Sequence, residues 1–66
     1  MSKWIPEVGE YYWMAYFYED GIPDAIEDIW LGLKEDYSRY EGNGIFKTRE
    51  EAYALAKELS EVDKNG

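Results

Sequence analysis

GEYYWMAYFYEDG, residues 9–21, decides how the chain is read. Eight of its thirteen residues are apolar or aromatic. Aromatic residues favour extended backbone, so residues 9–18 are expected to form a strand. Alternation along it places Tyr11, Trp13, Ala15 and Phe17 on one face and Tyr12, Met14, Tyr16 and Tyr18 on the other. The first set has the less polar rings and is expected to face the core, leaving the second as an outward tyrosine face. Glu19-Asp20-Gly21 then reads as a turn.

The next segment admits two readings. Ile22, Ala25, Ile26, Ile29, Trp30 and Leu33 fit helical spacing, and Pro23 suits a first helical turn. A strand that pairs with residues 9–18 fits equally well, with Pro23 at its start or on an edge. Residues 33–43, LKEDYSRYEGN, read as a loop, and Gly42-Asn43-Gly44 supplies backbone freedom for a reversal. Ile45-Phe46-Lys47 is a candidate short third strand. Thr48 and Glu51 have capping-box spacing, and Ala52, Leu55, Ala56, Leu59 and Val62 form one apolar stripe. A helix is therefore expected over residues 49–62, followed by a frayed tail at 63–66. The fold expected is α+β: an antiparallel sheet of two to three strands within residues 9–47 and one C-terminal helix, in a single domain over residues 1–66.

A chain of 66 residues buries about 60% of its unfolded surface, and such a core supplies roughly 3–5 kcal/mol of net stability. The sequence contains neither cysteine nor histidine. No thiolate nucleophile, disulfide or imidazole ligand is on offer. No segment approaches the roughly 20 apolar residues of a membrane helix, and MSKWIPEVGE lacks the apolar run of a signal peptide. A cytoplasmic protein without membrane contact is the expectation.

The net charge is −8, and residues 7–41 alone account for it, with ten acids against Lys34 and Arg39. Such a field repels nucleic-acid phosphates, whose binding needs clustered Lys and Arg. Direct nucleic-acid binding is not expected, and stacking on the aromatics would need a basic groove beside them. The field favours a basic partner and speeds encounter with it, although acidity also keeps an aromatic-rich surface soluble. The pairs Glu19-Asp20, Glu27-Asp28 and Glu35-Asp36 invite an acid–base or divalent-metal reading. Neighbours on a strand point to opposite faces, so such pairs do not converge unaided. No catalytic residue, metal ligand or cofactor is assigned.

The landmarks Trp4-Ile5-Pro6, Gly9-Glu10, Tyr12-Trp13, Asp20-Gly21, Trp30, Asp36-Tyr37-Ser38-Arg39 and Gly44-Ile45-Phe46-Lys47-Thr48-Arg49-Glu50-Glu51-Ala52 together resemble a family of small domains of bacteriophages and prophages. Its pattern runs W-x-P-x-x-G-E-x-Y-W, D-G, W, D-x-x-R and G-N-x-F-K-T-x-E-E-A, and the resemblance covers residues 4–59. The chain departs from it at Gly44, where the family has asparagine, and is longer over residues 20–30. The resemblance implies a strand rather than a helix for residues 22–33, a helix packed on one face of the sheet, and no enzyme chemistry. In that setting Asp36 and Arg39 read as a local ion pair shaping their loop.

Two functions follow as expectations. The first is a binding or inhibitor protein of the anti-CRISPR or anti-restriction kind. Its acidic, tyrosine-rich surface would comprise Tyr12, Tyr16, Tyr18, Glu19, Asp20, Asp24, Glu27, Asp28, Glu35 and Asp36, and would imitate nucleic acid before a basic host protein. The second is a small structural domain that forms a homodimer through its tyrosine face.

Overall fold

A computed structural model describes residues 4–65, with side chains to residue 61. The elements are β1 (Tyr11–Phe17), β2 (Pro23–Ile29), α1 (Lys34–Glu41) and α2 (Arg49–Asn65), and the two strands form one antiparallel sheet. The fold is a small α+β domain with α2 packed on the sheet.

Register follows from the hairpin. The Gly21 N–H donates to the Tyr18 carbonyl at 2.8 Å and the Tyr18 N–H to the Ile22 carbonyl at 3.1 Å. Gly21 has φ +84°, a left-handed turn that a β-carbon would strain. This aligns Tyr12 with Asp28, Met14 with Ile26 and Tyr16 with Asp24. Residues 23–29 are therefore a strand, as the family pattern implies, and Pro23 takes its first position, where it interrupts no ladder bond.

Four expectations need correction. Tyr12 does not face outward: it is 0% exposed, whereas Tyr11 is 58% exposed and Phe17 is also exposed. Ranking rings by polarity misjudged Tyr12, because its hydroxyl finds partners inside the protein and so costs little to bury. The outward tyrosine face thereby loses a member. Residues 34–41 are not loop but α1, which ends as Asn43 turns left-handed at φ 60° and the Gly44 N–H donates to the Arg39 carbonyl at 2.8 Å. Residues 45–47 contribute a single bridge, Phe46 to Trp13, and no strand. The last helix also continues past residue 62 to Asn65. Gly66 and the Val62 side chain lie outside the described residues.

Among the described residues the buried apolar side chains are Tyr12, Ala25, Trp30, Ala52 and Ala56, with Pro6 also buried. Ala52 and Ala56 lie one turn apart on α2 and are fully buried, while Leu55 is half-buried and Leu59 exposed. Small side chains let the helix backbone approach both strands closely. The Thr48 hydroxyl accepts the Glu51 N–H at 3.3 Å and donates to the Glu51 carboxylate at 2.9 Å, so the cap ties both groups at the α2 N-terminus.

Candidate partner-binding surface

The ten acidic and tyrosine positions divide into an internal set and an exposed set. Asp36 is internal. It lies at the N-terminus of α1, 4% exposed, and one oxygen accepts the N–H groups of Leu31 at 3.0 Å and Leu33 at 3.1 Å. The other oxygen accepts the Tyr12 hydroxyl at 2.9 Å. Arg39, one turn on, donates to the Tyr12 hydroxyl oxygen at 2.7 Å and to Asp28 at 3.0 Å, and stands 3.8 Å from Asp36. Burial opposes ionisation of Asp36, but the two N–H groups, the Tyr12 hydroxyl and Arg39 prevail and hold its carboxyl below its ordinary value. Burial also pushes the Tyr12 hydroxyl upward. The D-x-x-R pair thus orders the 31–33 segment and fastens α1 to β1. Tyr12 and Asp36 are unavailable to a partner.

Trp30, 2% exposed, completes this fastening. Its ring meets Tyr12, Tyr37 and Tyr40 edge-to-face, with centroids 6.0, 5.0 and 6.5 Å away.

The exposed set centres on the hairpin tip. Tyr16 and Tyr18 are exposed and stack edge-to-face at 5.3 Å. The Tyr18 hydroxyl donates to Asp24 at 2.7 Å, and Arg49, from α2, donates to the same carboxylate at 3.1 Å. The hydrogen bond from Tyr18, together with the Ala25 N–H and the nearby Arg49, holds the Asp24 carboxyl below its ordinary value. Arg49 also lies over the Tyr53 ring, 5.8 Å from its centroid. Phe17 and Ile22 are exposed at the same end of the hairpin. Glu19 and Asp20 occupy the turn, and Asp20 accepts the Ile22 N–H at 3.3 Å.

Asp24, Asp28 and Asp36 are matched by Arg49 and Arg39. Glu19, Asp20, Glu27 and Glu35 are exposed and carry no ion pair among the described residues. Glu27 stands mid-strand on β2 and Glu35 in the first turn of α1. The candidate surface therefore contracts to an aromatic tip with two uncompensated carboxylates, plus two more acids elsewhere.

Sequence reading missed Arg49, the residue that secures the tip to α2; its place in the first helical turn gave no hint that it reaches β2. It also missed a cavity of about 280 Å³ lined by Trp4, Tyr40, Asn43, Ile45, Phe46, Lys47 and Glu51. Lys47 lies 5.6 Å from the centroid of the Trp4 ring there. Among the described residues no three acids converge as a metal site, and no helix is long and apolar enough to cross a membrane. No family model, curated protein or solved structure matches the chain.

Proposed function

We propose that this chain is a non-catalytic binding protein of the phage type, which occupies a basic surface on a host nucleic-acid-handling or defence protein. The observation that carries the proposal is the hairpin tip: Tyr16 and Tyr18 present a fixed ring pair beside the uncompensated Glu19 and Asp20. Tyrosine gives large contact area with a polar end. The Asp24–Arg49 anchor holds Tyr18 in place beforehand, which lowers the ordering cost of binding. The net charge of −8 steers the chain toward positive surfaces, and the ordered sequence pattern of the phage domains supports the setting.

The proposal is tested by adding the protein to a panel of restriction endonucleases and RNA-guided nucleases and measuring DNA cleavage at low and high salt. Inhibition of at least one enzyme is expected, relieved by salt and by Tyr16→Ala/Tyr18→Ala. A panel in which no enzyme is inhibited at low salt, or in which the tip variant inhibits as well as the wild type, would count against it.

A further inference from the structure

The outer edge of β1 is bridged by Phe46 at Trp13, whereas the outer edge of β2 carries no bridge among the described residues, and its backbone is not as available as it looks. Trp13 exchanges both of its backbone hydrogen bonds with Phe46, at 2.9 Å each. Its N–H and C=O therefore point away from β2. Antiparallel ladders alternate, so the partners of the odd-numbered β1 residues, namely Pro23, Ala25, Glu27 and Ile29, turn their backbone groups to the outer edge of β2. Nothing among the described residues pairs with that edge.

Three of the four outward positions offer no free N–H. Pro23 has no N–H to give. The Ala25 N–H is taken by the Asp24 side chain at 2.8 Å, and the Ile29 N–H by the Asp28 side chain at 2.8 Å. Both carboxylates are fixed from a helix, Asp24 by Arg49 and Asp28 by Arg39. The N–H of Glu27 alone remains without an acceptor among the described residues, and Glu27 brings an exposed negative charge to its position.

We propose that Asp24 and Asp28 guard the open edge of β2 against pairing with a second copy of this chain. The occupant follows from the edge itself. A two-fold pairing centred on Glu27 would set Ala25 opposite Ile29 and use all three outward donors. It would also set Glu27 against Glu27, a like-charge pair that is destabilising. Unpaired edges invite such association, and charged groups on the edge are a known way of preventing it. The two aspartates do so by occupying the donors, their own charges being matched by Arg49 and Arg39, and Glu27 supplies the charge. Asp24 also anchors Tyr18 at the hairpin tip, but the guard concerns backbone groups on the opposite side of β2 from β1 and is read from oligomeric state, whereas the tip is read from inhibition.

Sedimentation across a concentration series tests it. In a Glu27→Gln background, which removes the like-charge pair, the otherwise intact chain is expected to remain single and Asp24→Ala/Asp28→Ala to rise toward twice that mass. Arg39→Gln/Arg49→Gln keeps both carboxylates and is expected to stay a single chain. A folded aspartate double variant that remains monomeric would overturn the proposal. So would an arginine variant that dimerises as strongly, because helix release would then be the cause. If the variants do not fold, amide exchange in the wild type decides: Ala25 and Ile29 should exchange at least about tenfold more slowly than Glu27. Equal rates at the three amides would refute the guard.

Discussion

The two helices are held to the same sheet by opposite means. Through α2, Ala52 and Ala56 bring one backbone against others, and the attachment is apolar and close. Through α1, no Cα comes within 8 Å of a Cα of either strand or of α2 among the described residues. Long side chains span the gap instead: Tyr12 to Asp36, Arg39 to Tyr12 and Asp28, and Tyr37 and Tyr40 to Trp30. An apolar attachment degrades gradually as its fit is spoiled. A buried polar one is far less forgiving, because each group removed leaves others unsatisfied.

The comparison is broken most severely at Asp36. Asp36→Ala strands the Tyr12 hydroxyl, two backbone N–H groups and part of the Arg39 charge. The expected cost is about 3–5 kcal/mol, close to the whole stability of a domain this size. Urea titration should find the variant largely unfolded without denaturant. Acid should act through the same group. Its folded-state pKa is depressed, so its contribution is fully present above the unfolded carboxylate value of about 3.9 and is lost as pH falls below that toward the folded value. Thermal melts should therefore steepen in their pH dependence below about pH 4. An Asp36→Asn chain that still folds should show a shallower dependence.

On the α2 side the effects are smaller. Ala52→Leu adds volume where none is free and should cost about 1–3 kcal/mol, lowering the midpoint by about 4–8 °C per kcal/mol without abolishing folding. Thr48→Ala removes the helix cap and should cost about 1 kcal/mol, measurable as a modest shift in the same melt. A result in which Ala52→Leu is more damaging than Asp36→Ala would reverse the ranking of the two attachments.

The same contrast explains what was legible in the sequence. α2 announces itself locally, through Thr48, Glu51 and an alanine stripe. β1 is equally plain from its aromatics. α1 has no apolar stripe, and its sequence KEDYSRYE looks like loop because its stability comes from contacts with residues 24 and 27 positions away. Local signals for it did exist: Glu35 and Asp36 in the first turn, Arg39 in the last, and Asn43-Gly44 as a terminator. The inward turn of Tyr12 was not legible, since its burial depends on Asp36 and Arg39 arriving from that helix. Of the candidate surface, the exposure of Tyr16, Tyr18, Glu19 and Asp20 follows from their place at a hairpin end. The internal use of Asp24, Asp28 and Asp36 depends on which arginines reach them, and spacing along the chain does not encode that.

The central functional claim is best tested by competition. The tagged protein is immobilised, exposed to a host lysate at low salt, and then washed with excess double-stranded DNA. The account predicts that a basic nucleic-acid enzyme is retained by the wild type, eluted by the DNA, and not retained by Tyr16→Ala/Tyr18→Ala. Failure to retain any such enzyme, or retention that DNA does not displace, would contradict it.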